Sequence, residues 1–139
     1  MNVKEYLNQA YNLHQEIQHK KAHLATLREL ETDTSSNLSD MPKAASPDPQ
    51  RIEGVLAKVV DLEREIAEDE KQIVASKAAV ADLIAQVPNT LQLKILAARY
   101  IEFLDWSEIA SKFSIGKSWV RKRHKQAVEL LEKLFSQSS

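Results

Sequence analysis

Five basic residues lie between positions 116 and 125, with no acidic residue among them, and their spacing indicates a specific chemistry. If this stretch is helical, positions i, i+3, i+4 and i+7 share one face, and they are occupied by Ser118, Arg121, Lys122 and Lys125. An outward face with three cations and a hydroxyl suits the major groove of duplex DNA. In that groove we expect Arg121 to pair with guanine, and Lys122 and Lys125 to contact bases or phosphates.

The start of the same helix predicts a phosphate contact. Lys117 and Ser118 stand beside the free backbone N–H groups of the first helical turn, and such groups bind anions. Two interpretations of Trp119 stay open: contact with a thymine methyl or sugar, and cover for a small apolar core. His124 falls on the inward face with Val120 and is predicted to be a packed histidine.

The residues before this helix have the pattern of a helix-turn-helix, which must position the basic face. Asp105 is a good N-cap, and Glu108 stands where it completes a capping box. A short helix follows, with Ile109, Ala110 and Phe113 facing inward and Trp106 predicted to join the core. The segment 114–116 makes the turn, and Gly116 is predicted to take a backbone conformation that other residues resist. A further helix over 91–103 precedes the motif.

Two long helices are predicted before the motif, over residues 2–31 and 49–87. Each carries a heptad stripe of apolar residues, which predicts packing of the two as an antiparallel helical hairpin. Lys20, Asp69 and Ser76 interrupt the stripes, and they either fix the register or mark where a further chain packs. The Ser- and Pro-containing segment 33–49 is predicted to be a loop that is either mobile or functional. The chain is therefore expected to be all-α, with a hairpin domain over 1–88 and a helix-turn-helix domain over 89–139.

Composition narrows the function classes. Net charge is −1 overall, but it is −5 over residues 1–89 and +4 over residues 90–139, so a polyanion would meet the C-terminal third. The sequence contains no cysteine and only two glycines, and it has no long apolar run. These features favour a cytoplasmic protein that has neither thiol chemistry nor a membrane span. No catalytic motif or cofactor site is expected. Glu16, His19 and His23 share a helix face, but they are too few for a predicted metal site.

Residues 96–134 resemble the fourth region of bacterial sigma factors, the helix-turn-helix that binds the −35 promoter element. The matching positions are Arg99-Tyr100, Glu108-Ile109-Ala110, Phe113, Ile115, Val120-Arg121 and Ala127-Val128. As a whole the chain resembles small phage proteins of Gram-positive bacteria, which combine a helical N-terminal segment, a stretch like 37–42 and a Trp-Val step like Trp119-Val120. The resemblance implies a relative of phage late-gene transcription regulators of the ArpU type. The chain departs from the family pattern at Gly116, because a serine cap is usual at this position.

The resemblance places Lys117, Ser118, Arg121, Lys122 and Lys125 at DNA-facing positions. It implies a sequence-specific regulator, with RNA polymerase as a further partner, and it does not imply a complete sigma factor. Because one helix-turn-helix with few contacts binds weakly, we expect a homodimer held by the hairpin or by the apolar tail around Leu131 and Phe135. Two alternatives remain open: a small terminase-like DNA-packaging subunit, and a protein-interaction module that binds polymerase or a repressor.

Overall fold

The computed structural model describes the backbone of residues 2–40 and 49–137 and the side chains of residues 2–32 and 50–137. Within these ranges the chain is helical and contains no strand, so the predicted all-α class is confirmed. The helices are α1 (Val3–Leu7), α2 (Gln9–Asp40), α3 (Pro49–Ile84), α4 (Thr90–Tyr100), α5 (Trp106–Phe113) and α6 (Lys117–Gln137). None of these six helices combines the length and the apolar composition that crossing a bilayer requires.

The helix predicted over residues 2–31 differs from the structure in its middle and at its end. Asn8 separates α1 from α2, and its backbone N–H and side-chain amide both donate to the carbonyl of Lys4, at 3.0 and 2.9 Å. This side chain competes with the helical hydrogen-bond ladder. The second difference is that α2 continues to Asp40, because no proline or glycine occurs before Pro42. The rest of the predicted loop, 41–48, lies outside the described residues.

The chain divides into two compact units that differ from the predicted division at residues 88–90. Unit 1 comprises Met1–His14 and Gln72–Ser139, and unit 2 comprises Gln15–Lys71. The reason is an apolar cluster that joins α1 and the end of α3 to α4 and α6, across the predicted boundary. Its buried members are Val3, Leu7, Val80, Leu83, Ile84, Val87, Leu96, Tyr100, Ala127, Val128 and Leu131.

In unit 2, α2 and α3 pack through the apolar stripes that the heptad pattern predicted. The buried cluster consists of Leu27, Val59, Leu62 and Ile66. Two of the three residues that interrupt the stripes bond to each other, with Lys20 Nζ 2.7 Å from Asp69 Oδ2. This hydrogen bond raises the pKa of Lys20. A second ion pair between the two helices joins Arg28 to Glu63.

In unit 1 a second apolar cluster supports α5 and α6. Its buried members are Ile95, Ala98, Ile109 and Val120, each without exposed surface, and Ala110, Phe113, Trp106 and Ile115 pack against them. The predicted inward faces of α5 and of the first turn of α6 are therefore confirmed, as is the predicted core position of Trp106. Asn89 caps α4 through a hydrogen bond from the backbone N–H of Gln92, at 3.0 Å.

The helix predicted over 91–103 is shorter in the structure, and a tight connection leads from it to α5. Helix α4 ends at Tyr100, and Phe103 has a φ of 64°, in the left-handed region. The Phe103 ring stacks on His14 at 4.5 Å and meets the edge of Tyr11 at 5.9 Å. Arg99 donates to the carbonyl of Leu104 at 3.0 Å. Tertiary packing and this hydrogen bond hold a backbone conformation that is unfavourable for phenylalanine.

The apolar tail of α6 packs inside unit 1. Leu131 has no exposed surface, while Leu130, Leu134 and Phe135 are partly buried against the first apolar cluster. The Phe135 ring meets the edge of Tyr6 with 5.8 Å between centroids. Part of the apolar surface of this tail is therefore used within the chain, and its role as a contact between two subunits stays a prediction.

Candidate nucleic-acid interface

The N-terminal end of α5 is fixed by the capping box that the sequence predicts. The Glu108 N–H donates to Asp105 Oδ1 at 2.8 Å, and the Asp105 N–H donates to Glu108 Oε1 at 3.5 Å. The hydrogen bond from the Glu108 backbone is the main cause that lowers the pKa of Asp105, and the charge of Lys117 contributes less. The box satisfies backbone groups at the start of the helix that would otherwise lack partners.

The turn between α5 and α6 uses a different residue from the one predicted. Ser114 has φ 55° and ψ 43°, and the N–H of Ile115 donates to the carbonyl of Ala110 at 3.0 Å. Ser114 therefore occupies the left-handed position that ends α5. Gly116 has a negative φ, so the special backbone conformation predicted for it is wrong. Its carbonyl accepts the first hydrogen bond of α6, from the N–H of Val120 at 3.0 Å.

The predicted DNA-facing side chains all lie on the exposed surface of α6. The exposed residues are Lys117, Ser118, Arg121, Lys122 and Lys125, together with Trp119. The opposite side of the helix carries the buried side chains of Val120, Ala127 and Leu131. The helical period thus separates one basic face from one packed face, as the sequence predicted.

The cations of this face form no ion pair in the part of the chain that the structure describes. Among the residues that the structure describes, no ion pair involves a basic side chain of α6. On α5, by contrast, Lys112 lies 2.9 Å from Glu102. Arg121 is exposed and forms no ion pair with a described carboxylate, so its guanidinium is accessible to an external anion or a base edge.

One edge of the basic face is formed by arginines around Trp106. The guanidinium carbon of Arg99 lies 4.5 Å from the Trp106 ring centroid, and that of Arg121 lies 5.9 Å from it. Such contacts between cations and aromatic rings are attractive. Trp106 therefore makes two kinds of contact that the sequence did not distinguish. It covers the second apolar cluster of unit 1, and its ring contacts Arg121.

The other edge of the face is formed by Trp119 and the cations one turn further along. Lys122 Nζ and the Arg123 guanidinium carbon lie 5.4 and 4.6 Å from the Trp119 ring centroid. The Trp119 side chain is 42% exposed and belongs to neither apolar cluster of unit 1. Of the two interpretations of Trp119, this placement favours surface contact. Arg123 was not among the predicted contacts, although its i, i+4 spacing from Trp119 was a signal for this pair.

His124 is packed, as predicted. Its Nε2 lies 2.6 Å from the Tyr100 hydroxyl oxygen, and its ring meets the edge of Trp106 at 4.7 Å. Burial is the main cause that lowers the pKa of His124 to about 4, and the positive charges of Arg99 and Lys4 add to it. The histidine is therefore neutral near pH 7. It supports the helix that carries the basic face by packing, and it adds no positive charge.

The helix face that carries Glu16, His19 and His23 shows no arrangement for a metal. Glu16 lies 3.3 Å from Lys20, and the described residues contain no group of three or more metal-binding side chains. Comparison with protein-family models, with curated proteins and with solved structures finds no match for this chain. The interpretation of the basic face therefore depends on its own geometry and charge.

Proposed function

We propose that this protein is a sequence-specific regulator of transcription that binds duplex DNA, encoded by a phage or prophage and acting in the bacterial cytoplasm. In this proposal α5 and α6 form the helix-turn-helix, and α6 lies in the major groove. The single observation that carries it is the exposed face of α6, on which Lys117, Arg121, Lys122 and Lys125 form no ion pair with a carboxylate among the described residues. Ser118 lies among them.

The chemistry of the face supports duplex DNA over a neutral ligand. Cations that are not paired within the protein release the counterions of DNA when they meet phosphates, which favours binding at low salt. The N-terminal part of a recognition helix contacts base edges. Arg121 is the side chain best suited to specificity, because a guanidinium donates two hydrogen bonds to guanine O6 and N7.

We further propose that two copies bind together. One basic helix gives few phosphate contacts, and a two-fold arrangement doubles them. Since the tail of α6 is partly buried within its own chain, we assign the contact between the two copies to the helical segment before residue 88. This segment is the proposed antiparallel hairpin. Leu56 and Val60 on α3 are 40% and 52% exposed and lie one turn apart, so they supply apolar surface for it.

Titration of fluorescent duplex DNA at 50 mM salt and at rising salt tests the proposal. We expect binding that weakens as salt rises, and a preferred sequence when bound duplexes are selected from a random pool. Arg121→Ala should weaken binding to the selected duplex by about 1–3 kcal/mol. Lys112→Ala is the matched control, because Lys112 is already paired with Glu102 and should change affinity little. Absence of binding at 50 mM salt would favour a protein-interaction module instead.

The mass of the particle in solution tests the proposal that two copies bind together. A dimer is expected, and Val60→Lys should shift it toward the monomer because a charge replaces exposed apolar surface. Glu65→Gln is the control, since Glu65 is exposed on the same helix and the net charge changes by the same amount. A ring of eight to ten copies would overturn the regulator in favour of a DNA-packaging subunit.

A further inference from the structure

The exposed indole of Trp119 is not explained by folding. It lies in the first turn of α6, where the helix carries its basic face, and 42% of the side chain is exposed. Trp119 is the one tryptophan that packs against neither apolar cluster of unit 1, whereas Trp106 is part of the second. An exposed indole on a face proposed to bind DNA offers apolar surface that an apolar feature of the ligand can cover.

The ring is held in place by two cations from the next turn. The Arg123 guanidinium carbon lies 4.6 Å from the ring centroid, and Lys122 Nζ lies 5.4 Å from it. The Nε atom of Arg123 is buried and has no hydrogen-bond partner among the described residues. The contact that the structure shows for this guanidinium is the one with the Trp119 ring.

In the major groove, one base feature is apolar: the C5-methyl group of thymine. Helix-turn-helix proteins contact base edges with the first residues of the recognition helix, where Trp119 lies. We propose that Trp119 determines specificity by packing against a thymine methyl group and that Arg123 is its positioning residue. This inference rests on the proposed function, because it requires α6 to lie in the groove.

The direct test removes the methyl group and leaves the protein unchanged. A duplex selected by the wild-type protein is prepared with each thymine replaced in turn by deoxyuridine, and affinities are measured at one salt concentration. We expect one replacement to weaken binding about fourfold, the effect of burying a single methyl group. The same replacement should have no effect on Trp119→Ala, while Trp119→Phe should retain part of it. Circular dichroism checks that each variant is folded.

Arg123→Gln separates positioning from a phosphate contact. If Arg123 positions the indole, the affinity ratio between thymine and deoxyuridine duplexes should fall toward one in this variant. If Arg123 instead binds phosphate, both duplexes should weaken equally, and the positioning role is wrong. A duplex that is bound but insensitive to every thymine replacement overturns the role of Trp119 alone. Failure to bind any duplex overturns the proposed function itself, so the two failures are distinguishable.

Discussion

The two compact units use their positive charges in opposite ways. In unit 2 each cation of α2 that forms an ion pair meets a carboxylate of α3: Lys20 with Asp69, Lys21 with Glu70 and Arg28 with Glu63. In unit 1 the exposed cations of α6 have no such partner among the described residues. Lys112 on α5, paired with Glu102, shows that carboxylates are present in the unit and are used elsewhere.

Under the proposed function, this difference distinguishes cations that hold two helices together from cations that bind an external anion. Opposite charges placed across two packed helices favour one register, because a shift along the axis separates every pair. Unpaired cations on one face add nothing to folding and repel one another. They are tolerated where an external anion supplies the missing charge. The predictions that follow test this contrast, in order of decreasing effect.

The largest effect should come from removing the support beneath the basic face without changing any charge. Ile109 has no exposed surface, so Ile109→Ala should lower the free energy of unfolding by about 2–5 kcal/mol, measured by urea denaturation. The control is Val74→Ala, because Val74 is 68% exposed and truncation there should change stability little. Equal effects of the two variants would show that α5 is not packed as described.

The ion pairs of unit 2 should differ from one another by their burial. Asp69→Ala leaves Lys20 without its closest partner in a site where the two side chains are only 18% and 12% exposed. The free energy of unfolding should fall more than in Glu63→Ala, since the Arg28–Glu63 pair is about half exposed and such pairs contribute little. Urea denaturation measures both, and a larger effect of Glu63→Ala would contradict the structural role of Lys20 and Asp69.

Acid should weaken unit 1 through His124. Its pKa is about 4 in the folded protein against 6.5 for the exposed group, so between these values the unfolded chain binds more protons. Stability from this group is complete above pH 6.5 and is lost as the pH falls toward 4. Urea denaturation at pH 7 and pH 4.5 should show a smaller loss in His124→Gln than in the wild type. An identical loss in both proteins would contradict the packed, neutral state of His124.

The smallest effect concerns the residue before α6. A Cβ at Gly116 meets no atom within 4 Å, and Gly116 has a negative φ, so a side chain is tolerated there. Gly116→Ser supplies a capping hydroxyl and reduces the freedom of the unfolded chain, and it should raise stability by a few tenths to about 1 kcal/mol. The midpoint of thermal unfolding measures this gain. A lower midpoint would mean that glycine is needed for reasons that the backbone does not show.

The correct and incorrect predictions have different physical origins. Periodicity predicted the packed positions of Leu62 and Val120, and local chemistry predicted the Asp105 cap, because both depend on a few neighbouring residues. The left-handed conformations of Phe103 and Ser114 depend on tertiary packing and were missed. The break at Asn8 was also missed, although its cause is the local hydrogen bond from the Asn8 side chain to the carbonyl of Lys4. The faces of α6 were predicted, but the contact of Arg123 with Trp119 needed side-chain geometry.

The most direct measurement of the central claim is the slope of the logarithm of duplex affinity against the logarithm of salt concentration. Each phosphate contact contributes about 0.9 to this slope. Lys122→Gln combined with Lys125→Gln should lower its magnitude by about 2, whereas Lys21→Gln combined with Arg28→Gln, on the paired cations of unit 2, should leave it unchanged. Equal slopes for the two double variants, or no affinity for duplex DNA at 50 mM salt, would contradict the account.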